Sequence, residues 1–242
     1  MASLVTSGAP SEEVVAASAR AAQKTFSNAI DDPVYAEAVA LLVIVSQAGQ
    51  GDDFASSLRR NGVAVETAPD LIGLLEAVGQ RLDAAGRQGG EVSDVGSLAR
   101  RALLGALYTS FSQELPGLFP EPADLPKAVR KFSSPAGFSE LARAFFTRMT
   151  AETLAYWLDR TMGAQIGDGR RFQDAHDRNV FDAALSQFSA EATRIIKEFS
   201  AGWYAKNAFS NRGDLRERSK AYAAIAFKKI NEELQRRVGD DA

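Results

Sequence analysis

Apolar side chains along this chain recur every third or fourth position over long stretches, the spacing that gathers them on one face of an α-helix. Leu71, Leu74, Leu75, Val78 and Leu82 form one such stripe. Val95, Leu98, Ala102, Leu103, Leu107 and Phe111 form a second over about 93–114, and Phe138, Leu141, Phe145, Met149, Leu154, Trp157, Leu158 and Met162 form a third. From Phe181 the steps to Leu185, Phe188, Ala192, Ile195 and Phe199 alternate four and three, the seam of a coiled-coil-like contact, which predicts one long helix over about 174–207. Ala223, Phe227, Ile230, Leu234 and Val238 predict the inner face of a last helix.

Start and stop signals frame these stripes. Ser11 before Glu12 and Glu13 opens a helix to about Asn28, and Asp32-Pro33 and Ser134-Pro135 each pair a capping side chain with a first-turn proline. Asp214 followed by Glu217 forms a capping box for the last helix. Gly86 to Gly90 close the stripe that begins at Leu71, and prolines 116, 120, 122 and 126 forbid regular helix across 116–126.

One stretch reads two ways. Residues 34–48 fit a buried helix, yet Leu41 to Val45 is rich in β-branched residues. It is followed by a helical piece, the turn Asn61-Gly62 and the alternating run Val63 to Thr67, the order of a strand, helix and strand. The absence of further strand candidates favours the helix. The expected fold is therefore mostly α, a multi-helix bundle, with a small β element at about 41–67 left open. The expected organisation is an acidic N-terminal helical subdomain over 1–115, a proline-rich connector over 116–134 and a C-terminal helical subdomain over 135–242 that ends in a basic region.

Composition narrows the setting. The 242 residues are 45% hydrophobic and 24% charged, ordinary for a globular protein and unlike a disordered one. With no cysteine there is neither a disulfide nor a thiolate, which fits a reducing, cytoplasmic home. The first ten residues carry no signal-peptide pattern, and the most apolar run, 38–45, falls far short of the roughly 20 residues that cross a bilayer. Abundant alanine and the excess of arginine over lysine suggest a GC-rich bacterial source. The net charge of −3 hides an uneven spread: acids dominate residues 1–100 and bases dominate 194–238.

Catalytic chemistry finds little support. His176 is the single histidine, so the His-rich metal sites have too few parts, and a serine nucleophile lacks the Gly-x-Ser-x-Gly elbow. Asp168, Asp174, His176, Asp177 and Asp182 could supply oxygen ligands to a magnesium-type ion, but acids at a helix start already offset the helix dipole. Gly167-Asp168-Gly169-Arg170-Arg171 is more simply a flexible connection than an anion site, and Arg212-Gly213-Asp214 supplies a turn and a cap. Phe145, Phe146, Met149, Trp157 and Met162 could line a pocket, but at helical spacing they read as core. No catalytic residue, metal or cofactor is expected.

Two binding readings remain. Long apolar seams and opposite charges at the two ends predict a non-enzymatic protein-interaction or assembly protein, one that also binds copies of itself. The alternative is a nucleic-acid-binding accessory subunit using residues 203–237. Its phosphate or acidic-partner contacts would be Lys206, Arg212, Arg216, Arg218, Lys220, Lys228, Lys229 and Arg236, with Arg237 adjoining, and Trp203, Tyr204 and Tyr222 would stack on bases. Against it, acids four residues before Arg218, Arg236 and Arg237 favour a solvated helix face.

Overall fold

A computed structural model describes residues 13, 14, 17, 18, 20, 29, 31–90, 93–117, 120–162, 172, 174–207 and 212–240. Among them the chain forms nine α-helices and no strand or sheet, as an all-α bundle requires. In order these are α1 (Pro33–Ala48), α2 (Phe54–Arg60), α3 (Leu71–Gln88), α4 (Asp94–Ser112) and α5 (Asp124–Arg130). A 3-10 turn (Lys131–Ser133) then leads to α6 (Pro135–Met162), α7 (Ala175–Ala192), α8 (Arg194–Asn207) and α9 (Arg212–Asp240). Of the helix expected over 11–28, residues 13, 14, 17, 18 and 20 are helical, and Ser18 Oγ donates to Leu154 O at 3.2 Å; the rest lies outside the described residues.

The axis of the bundle is α1. Asp32 caps it, its Oδ1 accepting from Val34 N at 2.9 Å and Tyr35 N at 2.8 Å, and Pro33 fills the first turn where its missing N–H is no loss. Along α1 only Pro33 and Gln47 escape full burial, because α2, α3, α4, α5, α6 and α9 all pack around it. That surround decides the ambiguous stretch. The β-branched residues Val39, Val43, Ile44 and Val45 cost a few tenths of a kcal/mol each in a helix, whereas burying each is worth about 1.5–3 kcal/mol.

The small β element at 41–67 is accordingly not formed. Val63 to Glu66 form no regular element, with Val63 and Val65 buried, Ala64 and Glu66 exposed, and Val65 N donating to Val63 O at 3.0 Å. The segment is anchored by Val63 N to Leu58 O at 3.0 Å and by Arg59 Nη1 to Val65 O at 3.2 Å.

Ion pairs link the helices that pack beside one another. Asp83 meets Arg100 between α3 and α4, and Arg101 meets Glu152 at 3.0 Å between α4 and α6. The long α6 begins where Ser134 Oγ accepts from Gly137 N at 3.0 Å, with Pro135 in its first turn. It contributes Phe138, Leu141, Phe145, Phe146 and Met149, all fully buried, to one continuous core that draws on α1, α3, α4, α8 and α9. Among the described residues no helix is long and apolar enough to cross a membrane.

Two sequence expectations change. Pro126 lies inside α5 rather than excluding it: in the first turn its lost N–H had no intrahelical partner to lose. The single helix over 174–207 is broken at Thr193 into α7 and α8. Thr193 Oγ1 donates to Ser189 O at 2.8 Å and lies 2.6 Å from Thr147 Oγ1, while Arg143 of α6 donates to Ala190 O at 3.2 Å. Side chains inserted into the carbonyl ladder end one helix and tilt the next.

Candidate functional site

A polar region of the described surface follows α3. The Asn61-Gly62 turn folds back on this helix, with Gly62 at φ +80°, a conformation that favours glycine. Arg81 of α3 holds the turn down: its Nη1 donates to Asn61 O, and its Nε donates to Glu37 Oε1 at 2.5 Å. Glu37, from the middle of α1, is the one charged side chain fully buried among the described residues, 3% exposed beside an Arg81 that is 25% exposed.

Two adjoining clefts flank the segment that follows this turn. One, of about 430 Å³, is lined by Glu37, Asn61, Arg81, Gln80 and Gln88. The other, of about 570 Å³, has a floor of Ala64, Val65, Pro69, Ile72 and Ala77 and a rim of Glu66, Asp70 and Glu76, with no lysine or arginine in its lining. Ile72 is 63% exposed there, a large apolar side chain left standing in an acidic groove. Asp70 Oδ1 caps α3 through Gly73 N at 2.7 Å, and Glu76 Oε1 accepts from Gln80 Nε2 at 3.4 Å, so both rim carboxylates are positioned.

A third groove, about 450 Å³, runs between α4, α6 and α7 over Ala106, Ala144, Ala151 and Ala190. Its polar side chains are spent on neighbouring helices: Arg148 on Thr109 Oγ1 at 2.9 Å, Arg143 on Ala190 O, and Glu140 on Lys197.

The basic residues expected to make contacts lie on α8 and α9. Lys206, Arg218, Lys220, Lys228 and Arg236 are exposed. Arg218 donates to Asn207 Oδ1 at 2.8 Å, Lys220 pairs with Glu217 at 3.3 Å, Lys228 with Glu232 at 4.0 Å and Arg236 with Glu233 at 2.7 Å. Lys229 is half-buried, with Nζ 5.8 Å from the centre of the Phe199 ring. Gly213 falls within α9 rather than in a turn, and the side chains of Arg212, Asp214, Arg216, Arg237 and Val238 lie outside those described.

The three expected stacking residues come together, but inside the bundle. Tyr204 stacks on Phe138 with ring centres 4.3 Å apart, and Trp203 lies 4.4 Å from Tyr222. Tyr204 and Tyr222 are buried and Trp203 half-buried, so neighbouring rings occupy their faces. Burial pushes both phenols well above the usual tyrosine range. Phe145, Phe146 and Met149 are core, with Trp157 packed at its edge; the Met162 side chain lies outside those described.

Near His176, Asp174 Oδ1 accepts from His176 N at 2.8 Å and Asp177 N at 3.0 Å, and Asp182 pairs with Arg178 at 3.0 Å. These acids serve the start of α7; Asp168 and the loop 167–171 lie outside the described residues. Among the described residues no three acidic or histidine side chains gather as a metal-holding group.

The acidic groove was not legible in the periodicity, though two signals for it exist. Ile72 sits about 100° around the helix from Leu71, at the edge of the α3 stripe, and Glu37 is the one charge in an otherwise apolar helix. A scan against protein-family models finds no match, and neither the curated proteins nor the solved structures compared with this chain match it.

Proposed function

We propose that this chain is a helical scaffold that binds other proteins, with the groove along α3 as its docking site. The observation that carries this reading is Ile72, 63% exposed on an apolar floor and ringed by Glu66, Asp70 and Glu76. Covering such a side chain is worth about 1–2 kcal/mol, taking two-thirds of a full isoleucine burial. The rim carboxylates add selectivity for a cationic partner and speed its encounter more than they add affinity.

The test is calorimetric titration with a synthetic amphipathic helix carrying leucine on one face and lysine on the other, at low salt. The reading expects saturable binding that weakens about tenfold in Ile72→Asp and in Glu76→Lys. Binding that is absent, or indifferent to both substitutions, overturns it.

The nucleic-acid reading keeps one supporting observation, the five exposed cations Lys206, Arg218, Lys220, Lys228 and Arg236 along α8 and α9. It loses the ring faces of Tyr204 and Tyr222, which are covered. Oligonucleotide binding that falls steeply with salt and disappears in Lys220→Glu/Lys228→Glu would restore it.

A further inference from the structure

The docking reading leaves the chemistry of the partner open, and the other flank of the molecule carries a surface that fits. On α9, Ile225 is 45% exposed. Arg218 lies seven residues before it and Lys228 and Lys229 three and four residues after it, positions that share its side of a helix. Ala221 lies between Arg218 and Ile225 and is exposed, so the face is narrow and smooth beside the isoleucine. Among the described side chains of this face the acid is Glu232, which pairs with Lys228. The α3 groove presents the opposite arrangement, an exposed isoleucine among Glu66, Asp70 and Glu76.

A single molecule cannot close this match on itself. On α1, Tyr35 stacks on Phe227 of α9 with ring centres 4.5 Å apart, while Glu37 pairs with Arg81 of α3. Two residues apart on a helix is about 200° of rotation, so α3 and α9 flank α1 on opposite sides.

We infer that the occupant of the α3 groove is α9 of a second copy of this chain, Ile225 seated against Ile72 and the cations of α9 against the groove's carboxylates. The inference rests on the docking reading above. Because the two surfaces differ, the contact is heterologous: a joined pair still keeps one free groove and one free helix, and assembly continues into chains or closes into a ring.

Sedimentation velocity on the full chain across a range of concentrations, at low and at high salt, tests this. Wild type is expected to grow beyond a dimer at low salt and to dissociate as salt screens the rim. Ile72→Asp, with a spoiled groove, and Ile225→Asp, with a spoiled helix, are each expected to be monomeric. Their equimolar mixture is expected to stop at a dimer, since one intact groove then meets one intact helix. Both isoleucines are exposed, and circular dichroism and urea midpoints matching wild type confirm that each variant folds.

A wild type that stays monomeric at low salt, single variants that assemble as wild type does, or a mixture that stays monomeric overturns the inference. If the groove still binds the leucine–lysine helix in that event, only the identity of the partner has failed. If it does not, the docking reading has failed with it.

Discussion

Replacing Arg81 by methionine should be among the most damaging single changes at this surface, and its cost follows from where Glu37 sits. The Glu37 carboxylate is 3% exposed and takes a hydrogen bond from Arg81 Nε at 2.5 Å. Arg81→Met takes the guanidinium away from a buried carboxylate, a loss of about 3–5 kcal/mol, and it releases the Asn61 carbonyl as well. The reverse removal is milder. In Glu37→Met the guanidinium, 25% exposed, reaches water and keeps Asn61 O, so about 1 kcal/mol is expected.

The double variant Glu37→Met/Arg81→Met exchanges the pair for apolar groups of similar volume and should cost no more than about 2 kcal/mol. The cycle thus predicts a coupling of at least about 2–4 kcal/mol. Urea titration followed by circular dichroism reads it directly: with a slope near 3 kcal/mol per molar, Arg81→Met lowers the midpoint by about 1–1.7 M and the double variant by no more than about 0.7 M. Single costs that simply add in the double variant, or an Arg81→Met midpoint within about 0.2 M of wild type at that slope, would refute the argument that Glu37 depends on Arg81.

Two further predictions test the packing and the buried phenols. A Cβ added at Gly137 would lie 2.0 Å from Lys131 O and 2.7 Å from Phe132 Cα, backbone atoms that cannot swing aside, so Gly137→Ala should cost about 2–4 kcal/mol. Gly202→Ala, inside α8 with nothing within 4 Å, should be neutral or stabilise by up to about 1 kcal/mol; a calorimetric scan of the two variants giving equal Tm shifts would contradict this. Burial raises the Tyr35, Tyr204 and Tyr222 phenols, so the folded state holds these protons more tightly than the unfolded chain does. Their contribution to stability is intact below the unfolded value of about 10 and is lost as pH climbs above it. The urea midpoint should therefore fall at alkaline pH, and fall less in Tyr222→Phe; full phenolate absorbance appearing while the helical signal persists would count against it.

Much of the bundle was determined by neighbours in sequence. The caps at Asp32 and Ser134, the first-turn prolines that follow them, and the inward positions Leu74, Val78, Leu82, Leu98, Phe138, Phe227 and Ile230 depend on spacings of three or four residues, which a single strand of text displays. The glycine turn after Asn61 was equally visible, because its backbone conformation is a local demand.

Other features were decided by contacts across the fold. Whether Leu41 to Val45 coiled or extended depended on neighbours on every side of α1, and only packed helices supply those. The break at Thr193 needed two side chains of α6, nearly fifty residues away: Arg143 on the Ala190 carbonyl and Thr147 on the Thr193 hydroxyl. Tyr204 and Tyr222 read as surface aromatics beside a basic run, yet Phe138 and Phe146 of α6 hold them inside. The acidic groove required the 61–70 segment to lie along α3 beneath an arginine that answers a glutamate in α1. Local propensity fixes which residues coil; burial and charge pairing, which sum over distant parts of the chain, fix which faces are left open.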